Sequence, residues 1–253
     1  MFGRLKIPLL FSLLILFYFL FSYSVFNGWW NSSIGSFLII IISYLIWLKD
    51  FRKQIGLHLN LQTVAKSIIL AIIITTCALL IMKYIGNKSH IQITYYNWRD
   101  YYHDIFYVLN EEIVIGAILL FALVNKWKIR PLVACLCLAM FFSLIHFVFY
   151  KWVFLDRGVI GMTTLITLFL VGFVRNSLII QTGHIGYSWA LHFGWMAIMF
   201  GSSHIDLDTN MPLTEIQSFN VYLGSTEMLI ISLIVAGFYS AYWIKKYSPQ
   251  HVL

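Results

Sequence analysis

Long apolar runs govern what this chain can become. Eight segments, at about 7–26, 34–48, 61–82, 105–124, 131–154, 158–177, 184–200 and 226–244, approach the ~17–25 residues that a helix needs to cross a bilayer. In hydrocarbon the backbone must satisfy its own N–H and C=O groups, so such runs fold as helices. Only 11% of the residues are charged, against about 25% in a soluble globular chain. The expected fold is all-α: a polytopic membrane protein with about eight transmembrane helices, forming a single membrane domain over 1–253. A very greasy soluble helical protein is the other reading, and composition is against it.

The start, MFGRLKIPLLFSLLILFYFL, has basic residues ahead of an apolar stretch, as a signal peptide does. No small-x-small cleavage site follows in FSYSVFNGWW, so it reads as a retained first span. Cys77, Cys135 and Cys137 all fall in apolar segments. Their odd number and spacing fit neither a disulfide framework nor a shared metal, and all three read as buried small residues.

Lys and Arg set the orientation. With the N-terminus inside, eleven lie on the inner side, among them Arg4, Lys49, Lys126, Arg130, Arg175 and Lys246. Five lie outside: Lys83, Lys88, Arg99, Lys151 and Arg157. Lys66 falls within the third span. The stretch 201–225 carries Asp206, Asp208 and Glu215 and no Lys or Arg, as an outer loop would. Both termini are therefore expected in the cytoplasm, and the formal charge of +7 belongs to the cytoplasmic edge. No basic soluble module exists that would suit a nucleic acid; the expected partners are the lipid bilayer and a membrane-associated protein.

Against this background a few polar residues stand out. Glu111 and Glu112 sit side by side in the fourth span, within YVLNEEIVIGAI. His146 lies in the fifth span and His192 in the seventh. A charged side chain at the bilayer centre costs at least about 2.5–3.5 kcal/mol on insertion scales, so such residues mark a functional site by default. At ~1.5 Å per residue, Glu111 lies about 9 Å from the outer end of its span, and each histidine about 12 Å. A lone histidine in a span is often just hydrogen-bonded to a neighbouring helix. Three helices with their polar groups at one level point to one shared site, in the outer half of the membrane.

Two chemistries suit a glutamate with two histidines. They can hold zinc through Glu111, His146 and His192, with one position left for water. Or the carboxylate can act as general base on a water while the imidazoles stabilise the oxyanion. Both hydrolyse an amide. No H-E-x-x-H signature is present, and no paired Gly- or Pro-broken spans suggest a transporter; a transporter using the glutamates as a proton relay is the weaker rival.

The combination of E-E in one helix, F-x-x-x-H in the next and a later helix with H resembles the CPBP family of intramembrane proteases, which includes CAAX prenyl endopeptidases and bacterial Abi-type proteins. Here the matching residues are Glu111 and Glu112, Phe142 to His146, and His192, and FLVGFVRNSLIIQTGHIGYSWALHFGWM looks like the family's last block. The likeness covers about 105–200, the CPBP-like catalytic core. It implies an integral membrane enzyme of a bacterial or archaeal plasma membrane. Glu111 would be the general base, Glu112 an orienting group, and His146 and His192 would support water and oxyanion, with Phe142 packed beside His146. No cofactor is favoured; zinc is the alternative.

Two positions depart from the family's pattern. E-E-x-x-x-R would place Arg at 116, which is Gly116 here, so Arg175, Tyr107 or Asn110 would have to serve Glu112, or Glu112 is protonated and donates a hydrogen bond instead. H-x-x-x-N/D would place a donor at 196, which is Met196 here. The expected function is endopeptidase action on a membrane-anchored or exported protein near a C-terminal anchor or sorting signal. The alternatives are an inactive CPBP-type scaffold or regulator and a CAAX-type prenyl-protein endopeptidase.

Overall fold

The computed structural model describes residues 31–47, 60–148 and 160–246. The expected first span, 7–26, lies outside the described residues, as does the end of the fifth. Helix α1 runs Asn31–Trp47 and α2 Leu61–Lys88. Strand β1 (Ile91–Tyr95) leads to α3 (Trp98–Glu111). The rod of α3 continues as wider π-helical turns at Glu112–Ile118, an α turn at Leu119–Phe121 and π turns at Ala122–Lys126. Then come α4 (Pro131–Val148), α5 (Met162–Thr182), α6 (Ile185–Met199), strands β2 (Ser202–Asp206) and β3 (Met211–Pro212), α7 (Glu215–Tyr222) and α8 (Thr226–Lys246).

Among the described residues four helices are long and apolar enough to cross a membrane: Leu61–Lys88, Tyr101–Asn125, Met162–Thr182 and Thr226–Lys246. Ser33–Ile42 and Pro131–His146 are shorter apolar helices. The chain is thus mostly helical and membrane-embedded. The expected seventh span is the 15-residue α6.

Helix α2 shows how lipid inverts the usual pattern. Asn60 caps it by accepting the Gln62 N–H. Its inward face is mostly small, with Ser67, Ala71 and Ala78 buried, while Ile68, Ile69, Ile72, Ile73 and Leu80 point outward. Small residues let helix backbones approach where no hydrophobic force separates helix from lipid. The centre belongs to the α3 rod, whose residues Glu112 to Ile118 are all buried. Ile113, Val114, Ala117 and Leu120 pack there with Ala134, Leu138, Ala139, Phe173, Val174, Ile185 and Trp243.

The all-α expectation missed a small antiparallel sheet of order β1-β2-β3. In its register Ile93 opposes His204, and Ile205 opposes Pro212. Runs this short, lying between spans, carry too little alternation to read as strands. The sheet brings the end of α2 and the end of α6 to one side of the molecule. An exposed ion pair, Lys88 Nζ to Glu227 Oε1 at 2.9 Å, joins the end of α2 to the start of α8 on that side. At the opposite end Gly183, at φ 65°, donates its N–H to Ile179 O and reverses the chain from α5 into α6.

Two sequence expectations change here. Arg175 is not a loop charge: α5 runs on to Thr182 and Arg175 is fully buried, leaving ten inner basic residues against five. Of the cysteines only Cys135 is buried; Cys77 and Cys137 face outward. An apolar segment in lipid has no polar face to tell outside from inside.

Candidate active site

Each polar residue of the site is placed by its own helix, and buried hydrogen bonds set the helices against one another. The Ser36 hydroxyl lies 2.6 Å from Asn110 Oδ1 and ties α1 to α3. Ser143 Oγ donates to Leu165 O (2.7 Å) and Asn176 Nδ2 to Cys135 O (3.1 Å), locking α4 to α5. Trp243 Nε1 donates to Ser177 Oγ at 2.9 Å and holds α8 to α5. Trp189 Nε1 donates to Ile105 O at 3.2 Å, joining α6 to α3. These bonds flank the positions that matter: Asn110 precedes the glutamates, Asn176 and Ser177 follow Arg175, and Trp189 lies one turn before His192.

At the centre, Glu112 is fully buried and its Oε1 takes two partners. His192 Nδ1 stands 3.0 Å away and Arg175 Nη1 3.3 Å away. Arg175 Nη1 also lies 3.5 Å from Glu111 Oε1. Ser188, buried one turn before His192, interacts with the Glu112 carboxylate. Glu111 and His146 interact electrostatically. His146 Nδ1 lies 2.6 Å from Phe142 O. A carbonyl only accepts, so Nδ1 carries a proton in this contact, and in the neutral form of the ring Nε2 is the acceptor.

Phe142 touches three of these groups. Its ring meets the His146 ring at 4.6 Å and the His192 ring at 5.7 Å, both edge-on. The Arg175 guanidinium lies over it, 4.2 Å from the ring centre. Glu111, Glu112, His146, His192, Phe142 and Arg175 are thus gathered in one buried cluster. Glu111 Oε1, Glu112 Oε2, and Arg175 Nε and Nη2 are buried there without a hydrogen-bond partner.

Of the three candidate partners for Glu112, Arg175 reaches it, while the Asn110 Oδ1 accepts from Ser36. Tyr107 packs on the His103 ring at 6.0 Å. Met196 is buried one turn beyond His192 and brings a thioether where a donor was expected from the resemblance. Spacing gave no hint of Ser188, of Gly172 beneath Phe142, or of Phe219. The Phe219 ring lies 6.2 Å from that of His146 and closes the site on the sheet side.

The zinc alternative finds no ready cage. Among the described residues no three His, Cys, Asp or Glu side chains are grouped to hold a metal ion. A guanidinium already stands between the two carboxylates, where a divalent cation would have to supply charge.

Residues 104–198 match the family described as type II CAAX prenyl endopeptidase Rce1-like. Over this segment the chain is similar to that family. The Rce1-like segment covers somewhat over a third of the chain and contains every residue of the cluster, from Glu111 to His192, together with Met196. The cluster thus lies wholly within the segment that is similar to this family of CAAX prenyl endopeptidases. No curated protein and no solved structure matches the chain.

Proposed function

We propose that this chain is an intramembrane endopeptidase in which Glu111 activates the attacking water. The observation that carries this reading is the burial of two glutamates from one helix against two histidines from two others, inside the Rce1-like segment. Glu111 takes a proton from water as its oxygen bonds to the scissile carbonyl carbon. His146 accepts a hydrogen bond from that water through Nε2. Glu112 holds His192 through Nδ1, which leaves the far side of that ring to stabilise the developing oxyanion. The tetrahedral species collapses as the C–N bond breaks, and the amine leaves with the proton held by Glu111. Charge placed in advance in a dry site is the largest catalytic term available to such a centre.

The substrate we favour is an exported or membrane-anchored protein, cut near a C-terminal anchor or sorting signal. Two observations support an outward-facing site. The acidic stretch 201–225 and the segment after α2 share one sheet at one end, and the basic residues favour the other side, ten to five. A metal-independent route fits the guanidinium between the carboxylates.

The test uses purified protein in nanodiscs, given a farnesylated CAAX peptide in one arm and membrane-anchored candidate proteins in the other. New N-termini should appear with the wild type and be absent with Glu111→Gln. Turnover should survive phenanthroline. Loss of activity with the chelator, restored by stoichiometric zinc, would overturn the metal-free route. Cleavage of the CAAX peptide alone would shift the substrate class. The buried Met196 favours one second reading, an inactive scaffold that keeps the same cluster without turnover. In that case Glu111→Ala would leave the cellular phenotype unchanged.

A further inference from the structure

Arg175 has an unusual set of neighbours for a fully buried arginine. One nitrogen, Nη1, approaches both carboxylates, at 3.3 Å to Glu112 and 3.5 Å to Glu111. Nε and Nη2 make no hydrogen bond. The guanidinium carbon lies over the Phe142 ring, 4.2 Å from its centre, a cation–π contact that gains strength when water is excluded. The same ring meets both imidazoles. One arginine therefore spans both glutamates, and one aromatic ring spans the arginine and both histidines.

The local packing explains why the charge arrives from α5. A Cβ at Gly116 would lie 3.4 Å from Glu112 Oε2 and 3.1 Å from Ile179 Cδ1. The flank of Glu112 that its own helix could serve is thus filled by Ile179, one turn beyond Arg175 on α5. The helix that fills the space also supplies the counter-charge. Gly172, one turn before Arg175, allows the approach: a Cβ there would stand 3.0 Å from Phe142 Cδ1 and 3.2 Å from the Ala139 Cα.

We propose that Arg175, held over Phe142, is the positioning residue of the carboxylate pair: it fixes Glu112 as the group that orients His192 and leaves Glu111 as the carboxylate available to water. The assignment rests on the site reading given under the proposed function, and it divides labour between two adjacent glutamates that look equivalent in sequence. Arg175 stands 3.5 Å from Glu111, the general base, and 3.3 Å from Glu112, so it acts on the carboxylate pair and not on the substrate. It acts through Glu112, with Phe142 as its platform.

The experiment reads the His192–Glu112 hydrogen bond directly, so it needs no substrate. Full-length protein labelled with 15N-histidine is placed in nanodiscs, and the His192 Nδ1–H resonance is assigned by its loss in His192→Asn. Arg175→Met keeps the bulk and removes the charge; it should displace or abolish this resonance. Arg175→Lys should leave it near its original position. Phe142→Leu should displace it and Phe142→Tyr should not. An unmoved resonance in folded Arg175→Met overturns the proposal and reduces Arg175 to a space-filling residue. Should Arg175→Met fail to fold, the double variant Arg175→Met, Glu112→Gln removes the orphaned carboxylate as well. Recovery of folded protein in the double variant supports the coupling, and no recovery overturns it. A wild type that cleaves nothing would sink the protease reading and leave this resonance test intact.

Discussion

Met196 and Gly172 show how much one side chain decides in this site. Met196 sits one turn beyond His192, buried and without a donor. Met196→Asn adds an amide near the oxyanion position, where removal of one such donor typically costs ~10²–10³ in rate. Higher turnover with unchanged KM is expected; lower turnover in a folded variant would place the oxyanion donor elsewhere. Gly172 lies under Phe142, where an added methyl group would force Phe142 or the α4 backbone to give by a few tenths of an ångström. Gly172→Ala should destabilise by about 1–3 kcal/mol, the usual cost of overpacking. Gly237 is the control, since a Cβ there meets nothing within 4 Å. Gly237→Ala should gain up to about 1 kcal/mol from helix propensity. Unfolding in mixed micelles separates the two, and equal responses would mean that α4 and α5 are not in close contact at Phe142. The glutamates and histidines were legible in the sequence because a polar residue in an apolar run is conspicuous alone. Arg175 reads from the sequence both as a possible partner of Glu112 and as an inner-side charge, because the end of an apolar run does not show where a helix ends.

The sheet and α7 form the element that closes the site on one side. His204 in β2 is buried, with Nε2 3.3 Å from Ser202 Oγ and Nδ1 3.5 Å from Ser218 Oγ. It lines a cavity of about 320 Å³ with Met199, Phe200, Leu213 and Ser218. Burial pushes its imidazole down to about 4. The unfolded ring takes up a proton near the ordinary value of about 6.5, while the folded ring stays neutral until about 4. In that window the unfolded state binds more protons. The stability His204 contributes is therefore complete above about pH 6.5 and is lost as pH falls towards 4. Amide exchange of β2 should accelerate over this range, and His204→Gln should flatten the response. An unchanged pH profile in the variant would mean that His204 is solvated. Helix α7 starts with a capping box in which Thr214 Oγ1 accepts from Gln217 N–H, while Gln217 Oε1 accepts from Thr214 N–H at 2.8 Å. Thr214→Ala should cost about 1 kcal/mol, read as faster exchange in α7 alone.

On the scale of the whole molecule, sidedness is the open quantity that experiment can fix. Thr209 and Trp127 are both exposed, at opposite ends of the helices. With Cys77 and Cys137 replaced by alanine, Thr209→Cys should react with an impermeant maleimide on intact cells, and Trp127→Cys should react only after lysis. The reverse pattern would turn the molecule over and remove the case for an exported substrate.

The sequence by itself determined that this is a helical membrane protein, where most of its helices lie, and which residues are too polar for their surroundings. Those are local properties: the cost of placing a side chain in hydrocarbon depends on its type and depth, and both follow from position along one helix. Only the tertiary structure decided that Glu112, not Glu111, binds His192, that Arg175 reaches across from α5, and that Phe142 lies under its guanidinium. It also decided that two loops far apart in sequence form one sheet. Such pairings depend on how helices rotate and how closely they approach, and that is set by small residues such as Gly172 and Gly116 acting against partners on other helices. A glycine carries no mark in the sequence of what will pack against it.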